Sequence, residues 1–166
     1  MSDANVTTRL HNWHHKDYAE AGRQINQALG DISDIEIAGR QVLVAVYVRP
    51  NVTNGGVMQS VSAQKEDVWQ GKIVLLLKAG PDAFVGDDSY RQAMWGNARH
   101  PQAGDWLVVR AIDGLPISLK GDNAERPQGK DFRGDPIDIY DWDGWPCRFL
   151  PDDAIIARVS KPHSVV

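Results

Sequence analysis

The sequence predicts a mainly β protein, a small β-barrel with an N-terminal helical extension and two long loop insertions. Three observations lead there. Short runs rich in β-branched and apolar residues recur along the chain, separated by turn signals. One early stretch instead places its apolar residues at helical spacing. Two polar intervals, 82–104 and 120–136, interrupt the strands with Gly, Pro and Asp. A length of 166 residues suits one domain with extensions. The expected organisation is an arm over 1–38, a barrel over 39–160 and a short tail over 161–166.

Composition narrows the function classes. Hydrophobic residues make up 42%, enough for a core. The net charge is −4 and there is no Lys/Arg run, which argues against a nucleic-acid footprint. No apolar stretch reaches the length of a membrane span. The first residues, MSDANVTTRLHNWHH, lack the apolar run of a signal peptide. The single cysteine, Cys147, excludes an intrachain disulfide and fits a reducing compartment. Six tryptophans are many for this length, and tryptophan favours interfaces as well as cores.

Residues 1–16 read as a polar tail. Asp17 to Leu29 reads as a helix. Tyr18, Ala21, Ile25, Ala28 and Leu29 share one face, Asp17 and Glu20 make a capping box, and Gly30 stops the run. Such a face must lie on the domain or on a neighbouring subunit. Asp31 to Ala38 reads as a linker with extended character. Gln41–Val48 is a β-branched strand, ended by Pro50. The second strand runs from about Lys72 to Lys78 and closes at Gly80-Pro81. Trp106–Arg110 and Leu115–Leu119 flank the Asp113-Gly114 turn signal, and Ile137–Trp142 and Trp145–Leu150 flank Asp143-Gly144. Asp153–Val159 is the last strand.

Between the first two strands lies the stretch 49–72. Asn54-Gly55-Gly56 makes a flexible start, and Val57-Met58-Gln59 sets two apolar residues in a polar run lasting to Asp67. A long loop before a strong strand suggests function. Two readings stand. Val57 and Met58 fold back onto their own core, which composition alone favours, or they form a docking peptide held out for a partner.

Nothing in the sequence carries catalysis. His11, His14 and His15 share a helical face but lack a fourth metal ligand. Asp138, Asp141 and Asp143 fail the calcium-loop spacing. Cys147 lies in an expected strand with no His near it in sequence, so a buried inert thiol is expected. There is no phosphate-binding loop. The expectation is a non-enzyme without cofactor or metal, acting by binding or assembly.

Five collinear pieces resemble the GroES-like small co-chaperonin family. They are Gln41-Val42-Leu43-Val44; Gly55-Gly56-Val57-Met58; Gln70-Gly71-Lys72-Ile73-Val74 with Ala79-Gly80; Ala103-Gly104-Asp105-Trp106-Leu107-Val108; and Asp153 to Val159. The expanded form, with KIVLLLKAGPDAF and GDWLVVRAIDG, is similar to versions encoded by tailed phages. The resemblance implies a barrel subunit in a seven-membered ring that caps an ATP-driven chaperonin and itself binds no nucleotide. It implies that Gly55, Gly56, Val57, Met58 and Gln59 form the partner-binding segment. It also implies pairing between subunits through the first and last strands, with Val42, Val44, Val46, Ile155, Ala157 and Val159 at the oligomer interface. Gln59 departs from the family, which has a third apolar anchor there. Losing one buried aliphatic contact costs ~1–3 kcal/mol per subunit. The expected function is therefore a phage-type co-chaperonin in the cytoplasm of a bacterial host, assisting capsid or other proteins. The alternative is a virion structural protein, a capsid decoration or cement protein, that reuses the barrel.

Overall fold

A computed structural model of the chain describes residues 18–50, 61–85, 94–140 and 142–161. In chain order the elements are α1 (Tyr18–Leu29), β1 (Gln41–Val46), α2 (Val61–Gln70), β2 (Ile73–Ala79), β3 (Trp106–Val109) and β4 (Leu115–Leu119). Then follow β5 (Gln128–Lys130), β6 (Pro136–Asp138), β7 (Trp145–Pro151), a 3-10 turn (Asp152–Ala154) and β8 (Ile155–Val159). The protein is mainly β. Six strands form one antiparallel sheet in the order β4-β7-β1-β2-β3-β8, and β5 and β6 form a separate hairpin.

The barrel expected from the sequence is not closed. β4 and β8 stand at opposite ends of the sheet and do not pair with each other. The sheet nevertheless has to curl. β7 and β8 lie four strand spacings apart, ~19 Å in a flat sheet. Only Asp152–Ala154 joins them, and four Cα steps reach ~14 Å at most. The link from β3 to β4, Arg110–Gly114, spans the same number of spacings while spending length on a turn, in which Asp113 N–H donates to the Arg110 carbonyl at 3.3 Å. Both links can close only if the sheet bends round on itself.

Strand alternation sends side chains to two apolar clusters. Val42, Val44, Val74, Leu76, Leu107, Val109, Leu150 and Ile155 point to the face inside the curl, where Ala83 and Phe84 from the 81–84 turn join them. Leu43, Ala45, Ile73, Leu75, Trp106, Trp145 and Cys147 point to the outer face. There α1 covers them with Ala21, Ile25, Ala28 and Leu29. Burying Ile25 and Leu29 is worth ~1.5–3 kcal/mol each. The apolar face of the helix is thus met by the chain's own core. Gly30, at φ +69°, ends α1; a Cβ there would run into the Asp122 carbonyl and the Ala124 amide. Gly121 N–H then donates to the Leu29 carbonyl, and Glu125 N–H to that of Gln27. The helix is stitched to the 120–136 interval, which is not simply a loop: it holds β5, and β6 begins at its end. Asp17, the expected cap, lies outside the described residues.

Three further expectations are corrected. The polar run up to Asp67 is not all loop, because its second half is α2. The segment 137–142 is only briefly a strand, since β6 ends at Asp138 and Ile139 and Tyr140 turn inward to full burial. Finally, β1 is an interior strand. β2 and β7 pair with both its edges, and Val42, Val44 and Val46 are at most 1% exposed. It offers no free edge for the intersubunit pairing expected of it.

Candidate docking surfaces

The segment carrying Gly55, Gly56, Val57, Met58 and Gln59 lies outside the described residues, but both of its stems are described. Arg49 follows β1, and its guanidinium grips Asp67 of α2 with Nε and Nη2, both at 2.8 Å. The Arg49 backbone N–H donates to the same carboxylate at 3.0 Å. This is a two-pronged charge-assisted contact in a half-buried setting. The pair holds the Arg49 guanidinium above its usual range, chiefly through the Asp67 hydrogen bond and against the opposing effect of burial.

Gln64 adds a second tie. Its side chain is 1% exposed, and Nε2 donates to the Arg49 carbonyl at 3.0 Å and to the Ile139 carbonyl at 2.7 Å. Arg148, on β7, supplies the third. It is 3% exposed, and its guanidinium donates to the Val68 carbonyl at 2.9 Å and the Gly71 carbonyl at 3.1 Å. These carbonyls lie at the C-terminal end of α2, where a cation is favoured by the helix dipole. Burial lowers the Arg148 pKa, with Asp113 opposing weakly. The described residues on either side of 51–60 are therefore tied together at one clamped base.

Sequence reasoning missed Arg49, Gln64, Asp67 and Arg148. Opposite charges at 49 and 67, flanking the loop, were the available signal. Gln64 gave none, since a polar residue in a polar run predicts exposure.

The remaining expected interface residues sit on β8, an edge strand. Ile155 faces the inner cluster, Ala157 and Val159 are half-buried, and Ile156 stands out at 61% exposure. The β3–β8 ladder shifts register between Val108 and Val109, leaving Ile156 without a cross-strand partner. One side of β8 is paired with β3 and the other is open among the described strands.

No group of three or more His, Cys, Asp or Glu suited to a metal occurs among the described residues. No helix among them is long and apolar enough to cross a membrane. Cys147 is buried, and burial pushes its thiol far up from the ordinary range, so it is a poor nucleophile as folded. Tyr140 is raised too, chiefly by burial; its hydroxyl lies 3.3 Å from the Val48 carbonyl it can donate to. No protein-family model matches the chain, and no curated protein matches it.

Proposed function

We propose that the chain is a phage-type GroES-like co-chaperonin subunit, which caps a chaperonin ring in a bacterial host and assists the folding of capsid or other proteins. The clamped base of residues 51–60 carries the reading. Arg49–Asp67 and Gln64 fix both stems of the segment that holds Gly55-Gly56-Val57-Met58. A fixed base lowers the ordering cost on binding, ~1 kcal/mol for each residue already in place. Two apolar anchors still cannot hold a loop alone, so several loops must act together. The open edge of β8 supports joining copies into such an assembly.

The test is co-sedimentation with a bacterial chaperonin in ADP or ATP. Wild type is expected to bind, Val57→Ser with Met58→Ser to lose binding, and Gln59→Leu to gain at least about tenfold, the worth of one aliphatic contact in a single loop. A wild type that does not bind, with no gain from Gln59→Leu, overturns the reading.

A second reading, a capsid decoration or cement protein, is favoured by two observations. Gln59 removes the third apolar anchor. The 120–136 insertion is tied to α1 by Glu125 to Gln27, and to the segment just after α1 by Asp31 N–H to the Asp122 carbonyl at 2.7 Å, which suits a presented surface more than a slack loop. Mass spectrometry of purified particles separates the two readings, because only the second puts the protein in the virion.

A further inference from the structure

Between α1 and the β3–β8 margin of the sheet lies an open cleft of ≈ 670 Å³. Leu75 and Trp106 form an apolar floor, with Tyr18 at the rim. Three arginines line it from three separate segments: Arg23 on α1, Arg99 in the stretch before β3, and Arg158 on β8. Asp105 is the one carboxylate among the described lining residues, which together carry +2 in a chain whose net charge is −4.

The arginines are not equivalent. Arg99 holds Asp105 in a fork at 2.7 and 2.9 Å. Arg158 is set by three contacts. Nη1 donates to the Arg99 carbonyl at 2.9 Å, Asp105 lies at 3.9 Å, and its guanidinium stacks over Trp95 at 5.6 Å from the ring centre. Two of the three cations are therefore held in place before any ligand arrives. Arg23 is exposed and makes no ion pair with the described residues.

We infer that this cleft is a docking groove for an acidic extended segment of a partner protein. The charge selects an anion, and an excess of two positive charges calls for more than one carboxylate. The guanidinium groups rise from separate elements around an apolar floor, which matches carboxylates spaced along a chain with apolar side chains between them. Among the described residues the groove is open to solvent, as a passing segment requires. None of its described lining residues belongs to the stems of 51–60, and the inference stands whether or not the co-chaperonin reading does.

Fluorescence anisotropy with a short labelled peptide alternating Glu and Val tests this, using the full chain. The Glu peptide is expected to bind and to weaken steeply as salt rises to about 0.5 M. Its Lys counterpart is expected not to bind. Arg23→Glu, at an exposed site, is expected to weaken binding by about tenfold or more, and Arg23→Lys by no more than about threefold. Arg110→Glu reverses an exposed charge outside the groove and is expected to change nothing. Failure of the Glu peptide to bind, equal binding of the Lys peptide, or equal damage from Arg110→Glu overturns the inference. So does a fall in the protein's own assembled mass on Arg23→Glu without peptide, which would assign the groove to a second copy of the chain.

Discussion

Asp152 lies in the short turn that joins β7 to β8, and its carboxylate serves two partners at once. Its side chain is 2% exposed. One oxygen accepts the Phe84 N–H at 2.9 Å; the other is 3.2 Å from the Arg40 guanidinium. Arg40 is 46% exposed, so that ion pair is screened and contributes little. The Phe84 bond is the larger part, because Phe84 is itself buried in the cluster inside the curl. Asp152→Ala would leave that N–H without its acceptor, at a cost of about 2–3 kcal/mol. Urea unfolding is expected to show a lower midpoint at unchanged slope, with Asp152→Asn in between. A shift under about 0.5 kcal/mol would mean that the turn holds without the carboxylate. In the sequence, Asp152 looked like any acidic residue ahead of a strand. Its partner Arg40 is 112 positions away, and only the curl brings them together.

At the scale of elements, strands were legible where they are apolar on both faces. Gln41–Val46 and Ile73–Ala79 are buried along most of their length, and their β-branched and aliphatic runs say so. The strands β5 and β6 have three residues each and alternate about a half-buried Gly129 and Ile137, too little for a pattern. The helix α2 was illegible for a different reason. Among its described side chains the most buried is a glutamine, and its C-terminal end is satisfied by an arginine from β7 rather than by a glycine cap. A search for apolar periodicity passes over both. Arg148→Met keeps the volume and removes the two bonds to Val68 and Gly71. Desolvation of the guanidinium offsets part of their worth, so the expected net loss is about 2 kcal/mol. Hydrogen exchange should rise across 61–70 more than across β1 or β2. Uniform protection over α2 in the variant would show that Gln64 and Asp67 hold it without Arg148.

At the scale of the molecule, the sequence could indicate strands and turns but not whether the sheet closes. That depends on which strands neighbour each other, and the two short links decide it. Closure by hydrogen bonds would have hidden β8. Instead β8 keeps one side open among the described strands, with Ile156 exposed on it as Leu115 is on the other edge strand, β4. Open edges with exposed apolar residues invite a neighbour. The chain is therefore expected to self-associate at micromolar concentration, and Ile156→Lys is expected to reduce the assembled mass, since an edge lysine opposes strand addition. Light scattering measures both. A wild type that is strictly monomeric, or an Ile156→Lys variant of unchanged mass, would remove β8 from the interface. The partner-binding role proposed for Gly55 to Gln59 rests on resemblance alone, because their composition suits an inward-folded loop as well.

The central place of β1 has a consequence for how the protein is made. Its ladder to β7 pairs Ala45 with Cys147, so one flank of the most fully buried strand in the sheet has no partner until the chain is nearly complete. At a translation rate of 5–20 residues per second, that flank waits on the order of 5–20 s after β1 leaves the ribosome. The β2 hairpin partner arrives sooner, but it covers one side only. A nascent chain of this protein is therefore a sticky, half-built ribbon for most of its synthesis, and its yield in cells should depend on elongation speed and on holding factors at the ribosome exit more than on the stability of the finished sheet.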